Sequence, residues 1–148
     1  MPFGKIIDTD EACPTLTFNT INRHQSKIVR IRVASNKSPW LANTEVGDIY
    51  SVPISHGEGR FIINDDLLEK LIANGQIATQ YVDLEGNPTN DINFNPNGSV
   101  YAIEGITSPD GRIFGKMGHS ERIGNGLYKN VPGNYDIQMF KSAVEYFN

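Results

Sequence analysis

The 148-residue chain is 39% hydrophobic and 20% charged, with 13 Lys and Arg against 17 Asp and Glu and a formal net charge of −4. These proportions belong to a folded globular domain; they exclude disordered, collagen-like and disulfide-stapled chains, and the length fits one domain over residues 1–148. The charge balance excludes the basic footprint of a nucleic-acid binder, no run approaches the ~20 apolar residues of a membrane span, and one cysteine, Cys13, fits a reducing cytoplasm.

Residues 1–25 show weak periodicity and read as loop or irregular structure. In Lys27–Val33 the residues Val29, Ile31 and Val33 fall on one face, and Arg30 and Arg32 on the other. That is the period-two pattern of a half-exposed strand. Ile49–Ile54 is a shorter apolar strand that runs into Ser55-His56-Gly57-Glu58-Gly59. Asn64 is placed to cap a helix with Leu67, Leu68, Leu71 and Ile72 inward and Gly75 at its end. Gln76–Val82 and Ser99–Ile106 read as strands, separated by turn-forming Asp83-Leu84-Glu85-Gly86-Asn87 and Asn95-Pro96-Asn97-Gly98. Ser108-Pro109-Asp110-Gly111 folds the chain back into Ile113–Met117 as a hairpin. Asn134 is placed to cap a last helix, where Ile137, Phe140, Val144 and Phe147 recur at spacings of three and four and are expected to face the core. Strands outnumber helices, which is unusual for a complete doubly wound α/β domain.

Two segments share a local pattern, His56-Gly57-Glu58 and His119-Ser120-Glu121, each a His-x-Glu after a predicted strand and beside glycine. In extended backbone, residues two apart share a face, so each glutamate can accept a hydrogen bond from its imidazole and fix the tautomer. The bland alternative is two surface loops that hold a His and a Glu. Together the pairs also form a His₂Glu₂ donor set of the kind that suits Zn²⁺ or Mn²⁺ in metal-assisted hydrolysis. Cys13 is the one thiol nucleophile on offer, but Glu11-Ala12-Cys13-Pro14 lacks the glycines of a nucleophile elbow, and an acidic neighbour works against thiolate formation. His24 reads as a polar loop residue and Trp40 as a packing anchor.

Six motifs follow one another in order: Pro14-Thr15-Leu16-Thr17-Phe18-Asn19, Ser35–Leu41, Pro53–Phe61, Asn95-Pro96-Asn97-Gly98-Ser99, Gly105–Arg112 and Met117-Gly118-His119-Ser120-Glu121-Arg122. This series resembles the C-terminal glutaminase domain of the phosphoribosylformylglycinamidine synthases, the glutamine-dependent amidotransferases of purine biosynthesis. The resemblance implies an α/β fold, that of a partial class I glutaminase: flavodoxin-like, with a mostly parallel sheet and antiparallel hairpin additions. It implies a Cys-His-Glu triad in which a thiolate attacks glutamine, ammonia leaves and water hydrolyses the thioester. By motif, His119 is the catalytic base and Glu121 its orienter, and His56, Gly57, Glu58, Gly59 and Arg60 form a substrate-binding loop flanking the glutamine pocket. No metal or cofactor is implied on this chain; ATP and Mg²⁺ are expected on the synthase domain, which receives the ammonia and is the partner. The compartment implied is the cytoplasm.

The chain departs from that family in two places. The family's His-Pro-Glu-Arg stands here as His119-Ser120-Glu121-Arg122, without the proline. No Gly-x-Cys-Asn-Gly elbow is present, and Met1–Ile6 looks like the segment that follows the elbow's helix. The sequence is therefore expected to be the C-terminal portion of a glutaminase domain, inactive alone because the nucleophile is absent. A third reading, besides the amidotransferase portion and the metal hydrolase, is a non-catalytic interaction module on this scaffold. Missing strands are expected to leave an unpaired sheet edge and an uncovered apolar face, so the isolated chain is expected to be a homo-oligomer, a two-fold dimer.

Overall fold

The computed structural model describes residues 13–148. Seven strands and two α-helices are arranged in two sheets. Strand β1 (Thr15–Phe18) pairs with β4 (Glu58–Ile62) in a two-stranded antiparallel ribbon. The larger sheet has five strands: β2 (Gln25–Val33), β3 (Ile49–His56), β5 (Ile77–Tyr81), β6 (Ile103–Thr107) and β7 (Phe114–Lys116). Their spatial order is β3-β2-β5-β6-β7, and every adjacent pair is antiparallel.

The mostly parallel, flavodoxin-like sheet expected from the resemblance is therefore corrected to an antiparallel one. Connectivity gives the physical reason. Parallel neighbours need a long crossover, usually a helix, whereas antiparallel neighbours need only a turn. Here β6 reaches β7 through residues 108–113, and the link from β5 to β6 contains no α-helix. Burial agrees. Along β2, Val29, Ile31 and Val33 are buried while Arg30 and Arg32 stay half-exposed, the alternation usual for a strand in an antiparallel sheet.

Apolar side chains fill both sides of the larger sheet. One cluster joins Val29, Ile31 and Val33 to Tyr50, Val52, Ile54, Ala78 and Tyr81, with Leu41, Ile137 and Met139 closing it. The other places Phe61, Ile63, Ile77 and Ile103 against helix α1 (Asp65–Ala73). The α1 start is as expected: Asn64 Oδ1 accepts from Leu67 N–H at 2.9 Å, and Asp65 and Asp66 complement the helix dipole. Leu71 is buried and Leu67 and Leu68 pack beside it, but Ile72 is exposed rather than inward.

Three further expectations change. Within residues 1–25, Thr15–Phe18 is a strand rather than irregular, while residues 1–12 lie outside the described residues. The strand expected from Ser99 begins only at Ile103, because Val100–Ala102 form a 3₁₀ turn with Tyr101 and Ala102 at φ of 54° and 55°. The last helix, α2 (Met139–Phe147), starts five residues after Asn134, behind a left-handed Gln138. It docks through the small side chains of Ser142 and Ala143 together with Met139, and Ser142 Oγ accepts from Asn43 N–H at 3.2 Å. The stripe of Phe140, Val144 and Phe147 consequently faces outward, rotated away from the core. Trp40 is an anchor as expected: it packs on the main cluster, donates from Nε1 to Arg112 O at 2.8 Å and meets Phe147 at 6.4 Å.

Candidate functional site

The hairpin β6–β7 delivers the chain to the edge of β3. There Met117 N–H donates to Glu104 O at 3.0 Å and His119 N–H to Pro53 O at 2.8 Å. Between these two bonds lies Gly118, where an added Cβ would sit 2.6 Å from Val52 Cγ2 and 2.9 Å from Glu104 Oε1. Only a glycine lets the backbone pass this close to the sheet. A tight turn follows, closed by Arg122 N–H donating to His119 O at 3.1 Å.

That turn brings the expected pair together. His119 Nδ1 and Glu121 Oε1 lie 2.8 Å apart, with the imidazole mostly buried and the carboxylate 55% exposed. The juxtaposition comes from a turn, not from the extended backbone on which the spacing was read. Desolvation pushes the Glu121 carboxyl up, but a backbone hydrogen bond, the bond to His119 and the charges of His119 and Arg122 outweigh it. Glu121 therefore titrates below the usual glutamate value. With Nδ1 engaged by a carboxylate, Nε2 is left as the proton acceptor of a neutral ring.

The second pair does not form. His56, at the end of β3, has Nε2 3.4 Å from Asn97 Nδ2, and Glu58 is exposed at the start of β4. Asn97 is fully buried and also donates to Tyr81 Oη at 3.4 Å. A Cβ on Gly59 would overlap the His56 ring and come within 2.9 Å of Asn97 Nδ2, so the glycine is what allows the imidazole to lie where it does. The loop is pinned from below: Ser99 Oγ donates to Gly59 O at 3.2 Å and Arg60 Nε to Gly98 O at 3.3 Å. Gly57 O accepts from Asn19 N–H at 2.9 Å. Burial lowers the His56 pKa from 6.5; a backbone bond and Glu104 oppose the shift, and the charges of His119 and His24 add to it.

Residues that the sequence reading did not single out complete this region. Glu104 is buried with its carboxylate bonded to Thr79 Oγ1, Gly118 N–H and Lys116 Nζ. A charged residue inside the apolar run Ile103–Ile106 was the available signal, since acids are almost never fully buried unless paired. His24, expected to be unpartnered, shares a 3.3 Å contact with Ser55 Oγ. The metal reading fails at this level: among the described residues no group of three or more His, Cys, Asp or Glu is arranged to hold a metal ion. Nor is any helix among the described residues long and apolar enough to cross a membrane.

Both shifts give stability the same dependence on acid. His56 and Glu121 bind fewer protons folded than unfolded, so stability rises with pH across each window. The His56 contribution is complete above about 6.5 and is lost as pH falls toward its lower folded value; that of Glu121 is complete above about 4.3 and is lost below it. Urea denaturation at stepped pH is expected to show stability declining below pH 6.5, and His56→Gln removes the upper step. A stability that rises on acidification from 7 to 5 would contradict this.

Comparison with known proteins gives one consistent result. Residues 1–147 match the family model of the CobB/CobQ-like glutamine amidotransferase domain. The phosphoribosylformylglycinamidine synthase subunit PurQ of Methanococcus maripaludis strain C7 is 38% identical over 95% of this chain and 57% of its own length. That of Thermomicrobium roseum is 42% identical over 64% of this chain and 39% of its own. The solved structure of PurLQS from Thermotoga maritima superposes with a TM-score of 0.66 at 26% identity, covering 92% of this chain and 54% of that one. The chain thus spans little more than half the length of these relatives at most. It belongs to the CobB/CobQ-like glutamine amidotransferase domain family.

Proposed function

We propose that this chain, as the C-terminal portion of a glutaminase domain, contributes the base His119 and the orienter Glu121 to a glutaminase that releases ammonia from glutamine. The ammonia serves a phosphoribosylformylglycinamidine synthase, whose synthase portion is the partner and uses ATP and Mg²⁺ to amidate formylglycinamide ribonucleotide in the cytoplasm. The observation that carries the reading is the 2.8 Å contact between His119 Nδ1 and Glu121 Oε1 in a chain of amidotransferase family membership.

The chemistry follows from that contact. Glu121 accepts a hydrogen bond from Nδ1–H and holds the tautomer in which Nε2 is free to take the proton of a cysteine thiol. The thiolate sulfur bonds to the side-chain carbonyl carbon of glutamine, the C–N bond breaks, and the proton on Nε2 leaves with ammonia. Water, deprotonated by the same nitrogen, then hydrolyses the thioester to glutamate and restores the thiol. The loop His56, Gly57, Glu58, Gly59 and Arg60 flanks the glutamine. In support, burial lowers the His56 pKa, the charge of His119 adds to that shift, and Gly59 leaves the space that the His56 ring occupies. The reading assigns no metal or cofactor to this chain.

The nucleophile in this reading comes from an elbow outside the sequence, not from Cys13. Incubated with glutamine, the chain alone is expected to form glutamate no faster than buffer does. Turnover abolished by Cys13→Ser would overturn this part of the reading. The exposed apolar side chains of α2 and of the ribbon, among them Phe140, Val144, Leu16 and Phe18, are the surface that the rest of the domain covers in the proposed assembly. Without it the chain is expected to pair with itself as a two-fold dimer. Sedimentation equilibrium at micromolar protein decides, with a pure monomer as the contrary result.

A further inference from the structure

The strongest unused feature is the buried ion pair beneath the His119 turn. Glu104 and Lys116 lie 3.2 Å apart with side chains only 0% and 8% exposed, so neither charge is held there by solvent. Pairs this deep rarely stabilise more than an apolar replacement of the same size, which directs attention to what else they hold in place. Each member grips the segment that carries the base. Glu104 Oε1 accepts from Gly118 N–H at 2.6 Å. Lys116 Nζ donates to Gly118 O at 3.0 Å and to Ser120 Oγ at 2.9 Å. The polar groups on both sides of His119 are thereby engaged, and His119 N–H itself is tied to Pro53 O.

Ser120 gives this arrangement its meaning. It stands where the resembling family motif has proline, a residue whose ring fixes φ near −65°. Serine imposes no such restriction, yet Ser120 is buried and its hydroxyl is fastened to Lys116. We propose that Glu104, Lys116 and Ser120 are the positioning residues of the His119–Glu121 pair, holding by a buried charge-assisted clamp the turn that proline would hold covalently. Glu121 is more than half exposed and contributes little to fixing its own place, so the clamp under the turn sets where its carboxylate meets the imidazole.

The functional meaning rests on the glutaminase reading, but the test does not read glutamine. The probe is the Glu121 side-chain carboxyl, followed by carbon-detected NMR titration in the full chain. His119→Gln defines the titration of a Glu121 deprived of its partner. Ser120→Ala removes one hydrogen bond and no charge, and is expected to carry the Glu121 midpoint most of the way from its low value to that reference. Ser120→Thr keeps a hydroxyl and is expected to restore it. Lys116→Met is expected to match or exceed Ser120→Ala; should it not fold, the serine pair still decides. A general loss of stability does not move the titration of a half-exposed carboxylate in a protein that remains folded. Glu121 midpoints unchanged in folded Ser120→Ala would overturn the proposal. A responsive Glu121 in a protein that never turns over glutamine would leave the clamp standing and remove the function.

Discussion

Substituting His119 by Ala in an assembled glutaminase is expected to lower glutamine hydrolysis by roughly 10²–10⁴-fold, the usual contribution of a positioned general acid–base group. The assembly is a chimaera of this chain with the part of the Methanococcus maripaludis relative that it leaves uncovered, where the proposed reading puts the nucleophile. The loss is expected to fall on kcat, because in the proposed mechanism His119 acts on the proton of the attacking thiol and not on the resting substrate. Glu121→Gln costs less: its carboxylate is 55% exposed, and water can take up the Nδ1 bond in part. The test is steady-state glutamate release by chimaeras with and without each substitution. Equal rates for parent and His119→Ala would remove His119 from the mechanism.

Replacing Glu104 by Ala has the largest expected effect on stability, a loss of about 3–5 kcal/mol, as for other buried pairs stripped of one partner. Thr79 Oγ1 and Gly118 N–H lose this acceptor together, and Lys116 Nζ loses its counter-charge while keeping Gly118 O and Ser120 Oγ. The ammonium is the costly one, since its side chain is 8% exposed and, among the described residues, no other carboxylate is paired with it. Domains of this size are stable by only about 5–15 kcal/mol, so the variant is expected to stand near the edge of folding. Glu104→Gln retains acceptor shape and is expected to lose less. Guanidinium denaturation measures both, and a loss below about 1 kcal/mol for Glu104→Ala would show that the pair is not stabilising the turn.

How much of this was legible depended on whether a feature is local. The Asn64 cap, the alternation in Val29–Val33 and the Ser108–Gly111 hairpin are written in neighbouring residues, and all three are observed. The direction of the sheet is set by connections between strands. Here the alternation gave a half-exposed strand without its neighbours' direction, and the parallel sheet was drawn from the resemblance alone. The C-terminal stripe misled for a related reason. Spacings of three and four define a face but not which side is covered, and small Ser142 and Ala143 allow the close approach that bulky Phe140 would prevent. Of the candidate site, the pairing of His119 with Glu121 was readable from the motif. Asn97 and Glu104 act through contacts 14 to 41 residues away in sequence, which no local pattern encodes.

The account stands on His119 being the base that generates a thiolate elsewhere in the domain, and covalent capture tests this most directly. The chimaera is incubated with radiolabelled glutamine, quenched in acid and digested, and the labelled peptide is identified. A γ-glutamyl thioester on the cysteine of the upstream elbow, absent from His119→Ala, is the predicted result. Label on Cys13, or equal labelling with and without His119, would contradict it.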